Sequence, residues 1–172
     1  TDSPASFSGS FYSVDGAHSE PRPDPIPKIM IGASGEKKSL RVVAKYADWW
    51  NDVARPLPTL QHKLDVLRTH CDDVNRDFNS VRKTLSIGTF IDKSNSRALD
   101  LAVLSNQDGT TATGRPLYNS DTTVVAGDTS AVREQYHELN EMGFDLIVTY
   151  FNDFQELSQM KLFMDEVIPE FS

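Results

Sequence analysis

The fold is decided by residues 28–51, which read KIMIGASGEKKSLRVVAKYADWWN. The apolar run 29–31 stops at a turn of small residues, 32–35, as expected for a buried parallel strand. Beyond the turn, apolar residues recur at helical spacing with lysine and arginine mostly between them, which indicates an amphipathic helix. A second short strand is predicted at 48–51. The stretch therefore predicts a strand, a tight turn, a helix and another strand.

The rest of the chain continues this alternation. Strands are predicted at 28–32, 48–51, 84–91 and 144–151. Helices are predicted between and after them, at 60–74, from Ser94 or Asn95 to Leu104, from Asp128 or Thr129 to a stop at Gly143, and at 154–167. Strands that alternate with helices favour an α/β fold with a parallel sheet and right-handed crossovers.

Four parallel strands make either a small open sheet or half of a (β/α)8 barrel. A whole barrel typically needs about 250 residues, and this chain has 172. An extended, proline-rich lead-in is expected at 1–27, and a polar surface loop at about 106–123. If the sheet is half a barrel, we expect its interior face to carry apolar side chains, namely Ile29, Ile31, Ile147 and Val148.

Composition excludes several classes of function. The net charge of −8 repels phosphate backbones, so we expect no nucleic-acid partner. No apolar run approaches the roughly 20 residues that cross a bilayer, so we expect no membrane span. The single cysteine, Cys71, lies on an apolar helical stripe and is expected to be a packing residue in a reducing, cytoplasmic compartment. No His, Asp, Glu or Cys group has metal-ligand spacing, and no metal site is predicted.

The turn at 32–36 has two interpretations. Ser34 is a candidate N-cap with Glu36 in the first helical turn, which describes an ordinary strand-to-helix turn. The unpaired amides and the dipole of a helix N-terminus also favour an anion, and small residues let a phosphate approach the backbone. The pattern alone favours the ordinary turn.

Four segments resemble the luciferase-like monooxygenase family. The longest is 27–51, which is similar to the block that spans strand five, helix five and strand six of that family's (β/α)8 barrel. Residues 63–71 resemble the next helix, residues 125–129 an element ahead of strand eight, and residues 7–14 the lead-in. The resemblance implies that 28–172 form four βα units, strands five to eight, which are the C-terminal half of the barrel.

The resemblance also implies a function. The family comprises oxidoreductases and monooxygenases that use the deazaflavin coenzyme F420 or, as an alternative, FMN. The coenzyme phosphate is expected at Ala33, Ser34, Gly35 and the amide of Glu36, although the family more often has glycine where Ala33 stands. One tryptophan of the 49–50 pair is expected in the core and the other in the coenzyme pocket, where we place Trp50; two packing aromatics remain the alternative.

In that family the residues around the coenzyme ring come largely from the N-terminal half, so no catalytic residue is assigned here. The chain is expected to be inactive without that half and to need it, or a second copy of this chain, as a partner. A small-molecule substrate is expected. The rival interpretations are a non-catalytic half-barrel that keeps only the phosphate turn, and an unrelated α/β binding module.

Overall fold

The computed structural model describes residues 4–18, 20–108, 122–153 and 156–171. Strands and helices alternate over most of this length, with a hairpin in front. In chain order the elements are β1 (Ala5–Ser8), β2 (Ser13–Ala17), β3 (Met30–Gly32), α1 (Ser39–Tyr46), β4 (Trp49–Val53), α2 (Leu57–Asp73), a 3-10 turn (Phe78–Ser80), β5 (Arg82–Ile91), α3 (Asn95–Asp108), β6 (Val124–Gly127), α4 (Thr129–Glu141), β7 (Leu146–Tyr150), α5 (Ser158–Glu166) and a second 3-10 turn (Ile168–Phe171).

The main sheet has five strands, and every pairing within it is parallel. Strand β4 lies between β3 and β5, and β5 also pairs with β7 and β6. The ten-residue strand β5 pairs with β4 over its first half and with β6 over its last four residues. The four predicted strands and their parallel arrangement are confirmed. Strand β6 was not predicted, and it extends the sheet where β4 has already ended.

The two faces of this sheet differ. Alternate side chains of a strand point to opposite faces, and the parallel register aligns those faces across neighbouring strands. The helix-covered face carries Trp50, Leu85 and Ile87, which pack against apolar residues of α1 and α2. We call the opposite side the open face; its residues, aligned by the strand register, are Met30, Gly32, Trp49, Asn51, Val53, Arg82, Thr84, Ser86, Leu146, Val148 and Tyr150.

This register corrects the expected set of interior apolar residues. Ile31 and Ile147 align with Trp50 and Leu85 respectively, and both pack against the helix-covered core. They therefore do not belong to the open face. Val148 does belong to it and is 47% exposed, whereas Ile29 precedes β3 and is 54% exposed. The error arose because an apolar strand residue can face either side, and only the register decides which.

The helical layer is held by an apolar core. Fully buried residues include Leu40 and Val43 of α1, Leu60 and Leu67 of α2, and Val132 of α4. A short chain of hydroxyl groups joins α4 to the sheet, since the Tyr136 hydroxyl lies 2.8 Å from Thr89 Oγ1, which lies 2.7 Å from Thr149 Oγ1. Burial raises the pKa of Tyr136 above its ordinary value. Among the described helices, none is both long and apolar enough to cross a membrane.

Outside the main sheet, two predictions need revision. The lead-in holds an antiparallel hairpin, β1 and β2, whose residues are all exposed. Helix α3 runs four residues beyond the predicted end at Leu104, and most of the predicted polar loop, 109–121, lies outside the described residues. The predicted start of the last helix, Phe154, also lies outside them. The predicted cap Asp128 and stop Gly143 are confirmed, the latter with φ of +94°.

Candidate functional site

The predicted phosphate turn lies at the carboxyl end of β3. The Ala33 amide donates to the Asn51 carbonyl oxygen at 3.0 Å, which extends the β3–β4 pairing by one residue. Ala33 is buried, whereas Ser34, Gly35 and Glu36 are exposed. The turn therefore presents three consecutive residues to solvent at the edge where parallel α/β sheets usually bind ligands.

Trp50 supports this turn from beneath. Its side chain has no exposed surface, and its ring lies 6.3 Å from that of Phe144. The indole Nε1–H donates to the Ala33 carbonyl oxygen at 2.8 Å. Trp49, the neighbouring residue, lies on the open face, where the Arg82 guanidinium stacks 4.7 Å from its ring centroid. Of the two tryptophans, Trp50 is therefore the one in the core.

A buried ion cluster lies behind the turn. The Lys63 ammonium donates to the Ser34 carbonyl oxygen, and the Ser34 hydroxyl donates to Asp52 Oδ1. The same Oδ1 accepts the Val53 amide at 2.9 Å. Oδ2 lies 3.7 Å from Lys63 Nζ and 3.8 Å from Arg55 Nε. The Asp52 side chain has no exposed surface and that of Lys63 is 6% exposed, so one buried carboxylate faces two cations.

The carbonyl oxygens of residues 33–36 all accept hydrogen bonds from other groups of the protein. Those of Ala33 and Ser34 accept from Trp50 and Lys63, that of Gly35 accepts the Leu40 amide at 2.9 Å, and that of Glu36 lies 2.8 Å from His70 Nε2. In a trans peptide the C=O and the following N–H point in opposite directions. Fixing these four carbonyls therefore directs the amides of residues 34–37 away from the core.

These amides are available to a ligand. In the part of the chain that the structure describes, the backbone N–H groups of Ser34, Gly35, Glu36 and Lys37 donate no hydrogen bond to another protein group. Unpaired amides that converge near a helix N-terminus are the usual protein site for a phosphate or carboxylate. The arrangement can hold an anion through its backbone alone.

The prediction that Ser34 caps α1 is wrong. The helix begins at Ser39, and the residue at the N-cap position, Lys38, makes no capping bond through its side chain. The Leu40 amide reaches back five residues to Gly35, which opens a wide first turn. The Ser34 hydroxyl instead donates to the buried Asp52 carboxylate. A hydrogen bond to a charged carboxylate is stronger than one between a hydroxyl and a neutral amide.

Sequence reasoning missed Asp52 and Lys63, although both left a signal. Asp52 alternates with Trp49, Asn51 and Val53, so it shares the helix-covered face with Trp50. Lys63 interrupts the apolar stripe of α2 between Leu60 and Leu64. A charge on each of two facing apolar surfaces indicates a buried pair, because an unpaired buried charge is too costly.

A polar network lies in the middle of the open face. The Thr84 hydroxyl donates to Asn51 Oδ1 at 2.9 Å, and the Asn51 side-chain amide donates to Ser86 Oγ at 3.2 Å. Asn51 directly follows Trp50, so its side chain lies on the open face next to the turn. Gly32, in the strand position aligned with Asn51, has no atom within 4 Å of where a Cβ would lie. This part of the face offers open space next to the turn.

The remaining candidate residues form no second site. His62 Nε2 lies 3.3 Å from Glu36 Oε2 on the surface, and Cys71 is fully buried, where burial raises the pKa of its thiol. The prediction that Cys71 is a packing residue is confirmed. Among the described residues, no group of three or more His, Cys, Asp or Glu side chains is placed to hold a metal ion.

The fold and the turn define a parallel α/β protein with a candidate anion site at the carboxyl edge of its sheet. A family model described as luciferase-like monooxygenase matches residues 1–146, and the chain belongs to this family. The resemblance noted in the sequence is thereby confirmed. No curated protein sequence matches the chain significantly.

Solved structures with the same fold carry related descriptions. A coenzyme F420-dependent tetrahydromethanopterin reductase from Methanopyrus kandleri matches with a TM-score of 0.74 at 16% identity, over 99% of this chain and 59% of that one. An F420-dependent secondary alcohol dehydrogenase matches with a TM-score of 0.77 at 16% identity, over 100% and 57%. A riboflavin lyase with modified FMN matches with a TM-score of 0.76 at 13% identity, over 97% and 48%. The chain thus spans about half the length of these relatives.

Proposed function

We propose that this chain is the C-terminal half, strands five to eight, of a (β/α)8 barrel in an F420- or FMN-dependent oxidoreductase or monooxygenase. In this proposal the turn at 32–36 holds the coenzyme phosphate. The observation that carries it is the set of outward-directed, unpaired amides at residues 34–37, at the carboxyl end of β3. Membership of the luciferase-like family and the F420- and FMN-related descriptions of the structural neighbours support the choice of coenzyme.

Each site residue predicted from the sequence is accounted for in this proposal. The amides of Ser34, Gly35 and Glu36 bind the phosphate, while the Ser34 hydroxyl is held by Asp52 and does not. Ala33 joins the turn to the sheet. Trp50 acts from beneath through its bond to Ala33, and its side chain has no exposed surface with which to contact the coenzyme ring. Trp49 begins β4 at the opposite, amino edge of the sheet, so we assign it no contact with the coenzyme.

The bound coenzyme supplies hydride transfer, and the protein binds and orients it. Gly32 and Asn51 leave open space next to the phosphate turn, which the rest of the coenzyme is proposed to enter across the open face. No described residue of this chain is assigned a catalytic role; those groups are proposed to come from the N-terminal half, together with much of the small-molecule substrate pocket. We propose a cytoplasmic location on the reduced state expected of a lone cysteine.

Gly35 provides the test of the phosphate site. The variants Gly35→Glu and Gly35→Gln have nearly the same volume, and both meet the Ser39 side chain, whose Oγ would lie 2.9 Å from an added Cβ. Only the glutamate places a negative charge beside the phosphate, where like charges at about 4 Å repel by roughly 1–4 kcal/mol. We expect FMN or F420 to bind Gly35→Glu at least tenfold more weakly than Gly35→Gln, measured by coenzyme fluorescence with the full-length protein.

Equal unfolding free energies of the two variants, measured in urea, show that the comparison is fair. Equal coenzyme affinities of the two variants would show that the phosphate does not bind at this turn. The proposal also fails if the unmodified full-length protein binds neither coenzyme.

The open face supports the half-barrel part of the proposal. Among the described residues, β3 and β7 each pair with one strand only, so both edges of the sheet are open. The open face exposes large apolar side chains, including Met30 at 47%, Val53 at 40%, Val148 at 47% and Tyr150 at 37%. Large apolar side chains exposed together on one sheet face are normally covered, and parallel sheets are normally closed or flanked.

We propose that the N-terminal half of the barrel covers this face, with a second copy of the chain as the alternative. Light scattering of the purified 172-residue chain at micromolar concentration tests this. We expect either a mass of at least two chains or a monomer that binds a hydrophobic dye, which full-length protein does not bind. A dye-free monomer that unfolds cooperatively would contradict the proposal.

A further inference from the structure

The ion cluster behind the turn is the feature that the proposed function leaves unexplained. A lysine that is 6% exposed and an aspartate with no exposed side-chain surface are expensive to keep in a core. A well-packed apolar pair in the same space is often at least as stable. Their contacts with the turn indicate what the pair does.

We propose that Lys63 is a positioning residue for the anion site, with Asp52 as its counter-ion. The proposal rests on the proposed function, because it concerns how the same turn binds its phosphate. Lys63 bonds the Ser34 carbonyl, which fixes the peptide plane between Ser34 and Gly35. The Gly35 amide then points outward before any ligand arrives.

Fixing this peptide plane matters because Gly35 lacks a Cβ, and a glycine backbone has more accessible conformations than that of any other residue type. The peptide that Lys63 holds is the one that leads into this glycine. A donor amide that is already aimed does not lose conformational freedom when the anion binds, so its full interaction contributes to affinity. The neighbouring peptide is fixed in the same manner by Trp50, which bonds the Ala33 carbonyl.

Asp52 makes the buried lysine possible and adds a second constraint. Its Oδ2 lies 3.7 Å from Lys63 Nζ, and its Oδ1 holds the Ser34 hydroxyl. The residue between the two fixed peptides is therefore held at both its side chain and its carbonyl. Arg55, 3.8 Å from Oδ2 and 16% exposed, adds a further positive charge on this side of the turn. A cluster of one anion and two cations leaves the region behind the phosphate with net positive charge.

The test compares two ligands that differ only in the phosphate, FMN and riboflavin, each titrated into full-length protein by fluorescence. F420 and its deazaflavin core, which lacks both the phosphate and the side chain attached through it, form a second pair for a protein that binds F420. The key variant is Asp52→Asn/Lys63→Met, which removes the lysine bond without leaving a buried carboxylate unpaired. Asp52→Asn/Lys63→Leu fills the space with an apolar side chain that also cannot donate to the Ser34 carbonyl, and it gives the same readout if the first variant does not fold. Lys45→Met, an exposed lysine of α1, is the control for loss of a positive charge.

We expect the unmodified protein and Lys45→Met to prefer the phosphate-bearing ligand by the same ratio. In the double variant that ratio falls about tenfold, as for loss of one bond to a charged group, while affinity for the phosphate-free ligand is unchanged. A double variant that keeps the full ratio overturns the inference, and one that loses both affinities equally shows a merely structural role. If the unmodified protein has no preference for the phosphate, the proposed function itself fails, which is a separate result.

Discussion

Two strand-to-helix turns of this protein begin alike and end differently. Both follow a short parallel strand whose last residue is a glycine, Gly32 before α1 and Gly127 before α4. At α4 the Asp128 carboxylate accepts the Ala131 amide at 3.0 Å, and the Asp128 amide donates to Asn95 Oδ1 at 3.3 Å. At α1 no side chain caps the helix. The turn before α4 satisfies an amide with the protein's own carboxylate, whereas the turn before α1 leaves its amides without a protein partner among the described residues.

In our proposal, one strand-turn-helix architecture serves stability before α4 and anion binding before α1. A carboxylate at an N-cap occupies the position that a phosphate would take, so a capped turn excludes an anion. At the turn before α1, the acidic residue is instead placed behind the backbone: Asp52 accepts the Ser34 hydroxyl and pairs with Lys63, which donates to the Ser34 carbonyl oxygen. A carboxylate therefore caps the helix at one turn, and in our proposal a carboxylate behind the other turn orients its amides for the anion.

The largest effect is expected from substitutions that break the ion cluster behind the turn before α1. Lys63→Met removes the lysine and leaves the Asp52 carboxylate buried with only Arg55 nearby, and we expect a loss of about 3 kcal/mol in the free energy of unfolding. Asp52→Asn/Lys63→Met removes both charges and should recover most of that loss. Urea unfolding of the two variants measures the difference. If the double variant is no more stable than the single one, the two residues are not a compensated pair.

A smaller effect on stability is expected from substitutions at the N-cap positions of α4 and α1. Asp128→Ala removes a real cap, and we expect it to cost about 1 kcal/mol. Lys38→Ala changes the N-cap residue of α1, whose side chain makes no capping bond, and should stay within about 0.5 kcal/mol of the unmodified protein. Urea midpoints at constant m-value measure both changes. Equal losses in the free energy of unfolding from the two substitutions would mean that Asp128 caps α4 no more strongly than Lys38 caps α1.

Much of this architecture was predictable from local sequence. Strand-turn-helix alternation indicated the four parallel strands, and the cap at Asp128 and the stop at Gly143 follow from short-range backbone chemistry. Strand β6 was not predictable in this way, because it is four residues long and exists by pairing with the end of β5, which β4 leaves free. The hairpin β1–β2 likewise depends on pairing between segments that carry little apolar patterning.

The turn after β3 was predictable in position, but its hydrogen bonds were not. Small residues after an apolar strand located the turn, yet the pattern assigned the Ser34 hydroxyl to a cap that it does not form. Neighbouring tryptophans face opposite sides of the sheet, so placing Trp49 and Trp50 required the strand register. The partnership of Asp52 with Lys63 joins two elements, and only their packing shows that the two charges meet.

The most direct test is a titration of the ¹⁵N-labelled full-length protein with inorganic phosphate, followed by amide chemical shifts. The proposed anion site predicts saturable shifts of the Ser34, Gly35 and Glu36 amides, with the Ala131 amide unchanged because Asp128 already accepts its hydrogen bond. Shifts at the first turn of α4, or no shift at residues 34–36 at phosphate concentrations that saturate other sites, would contradict it.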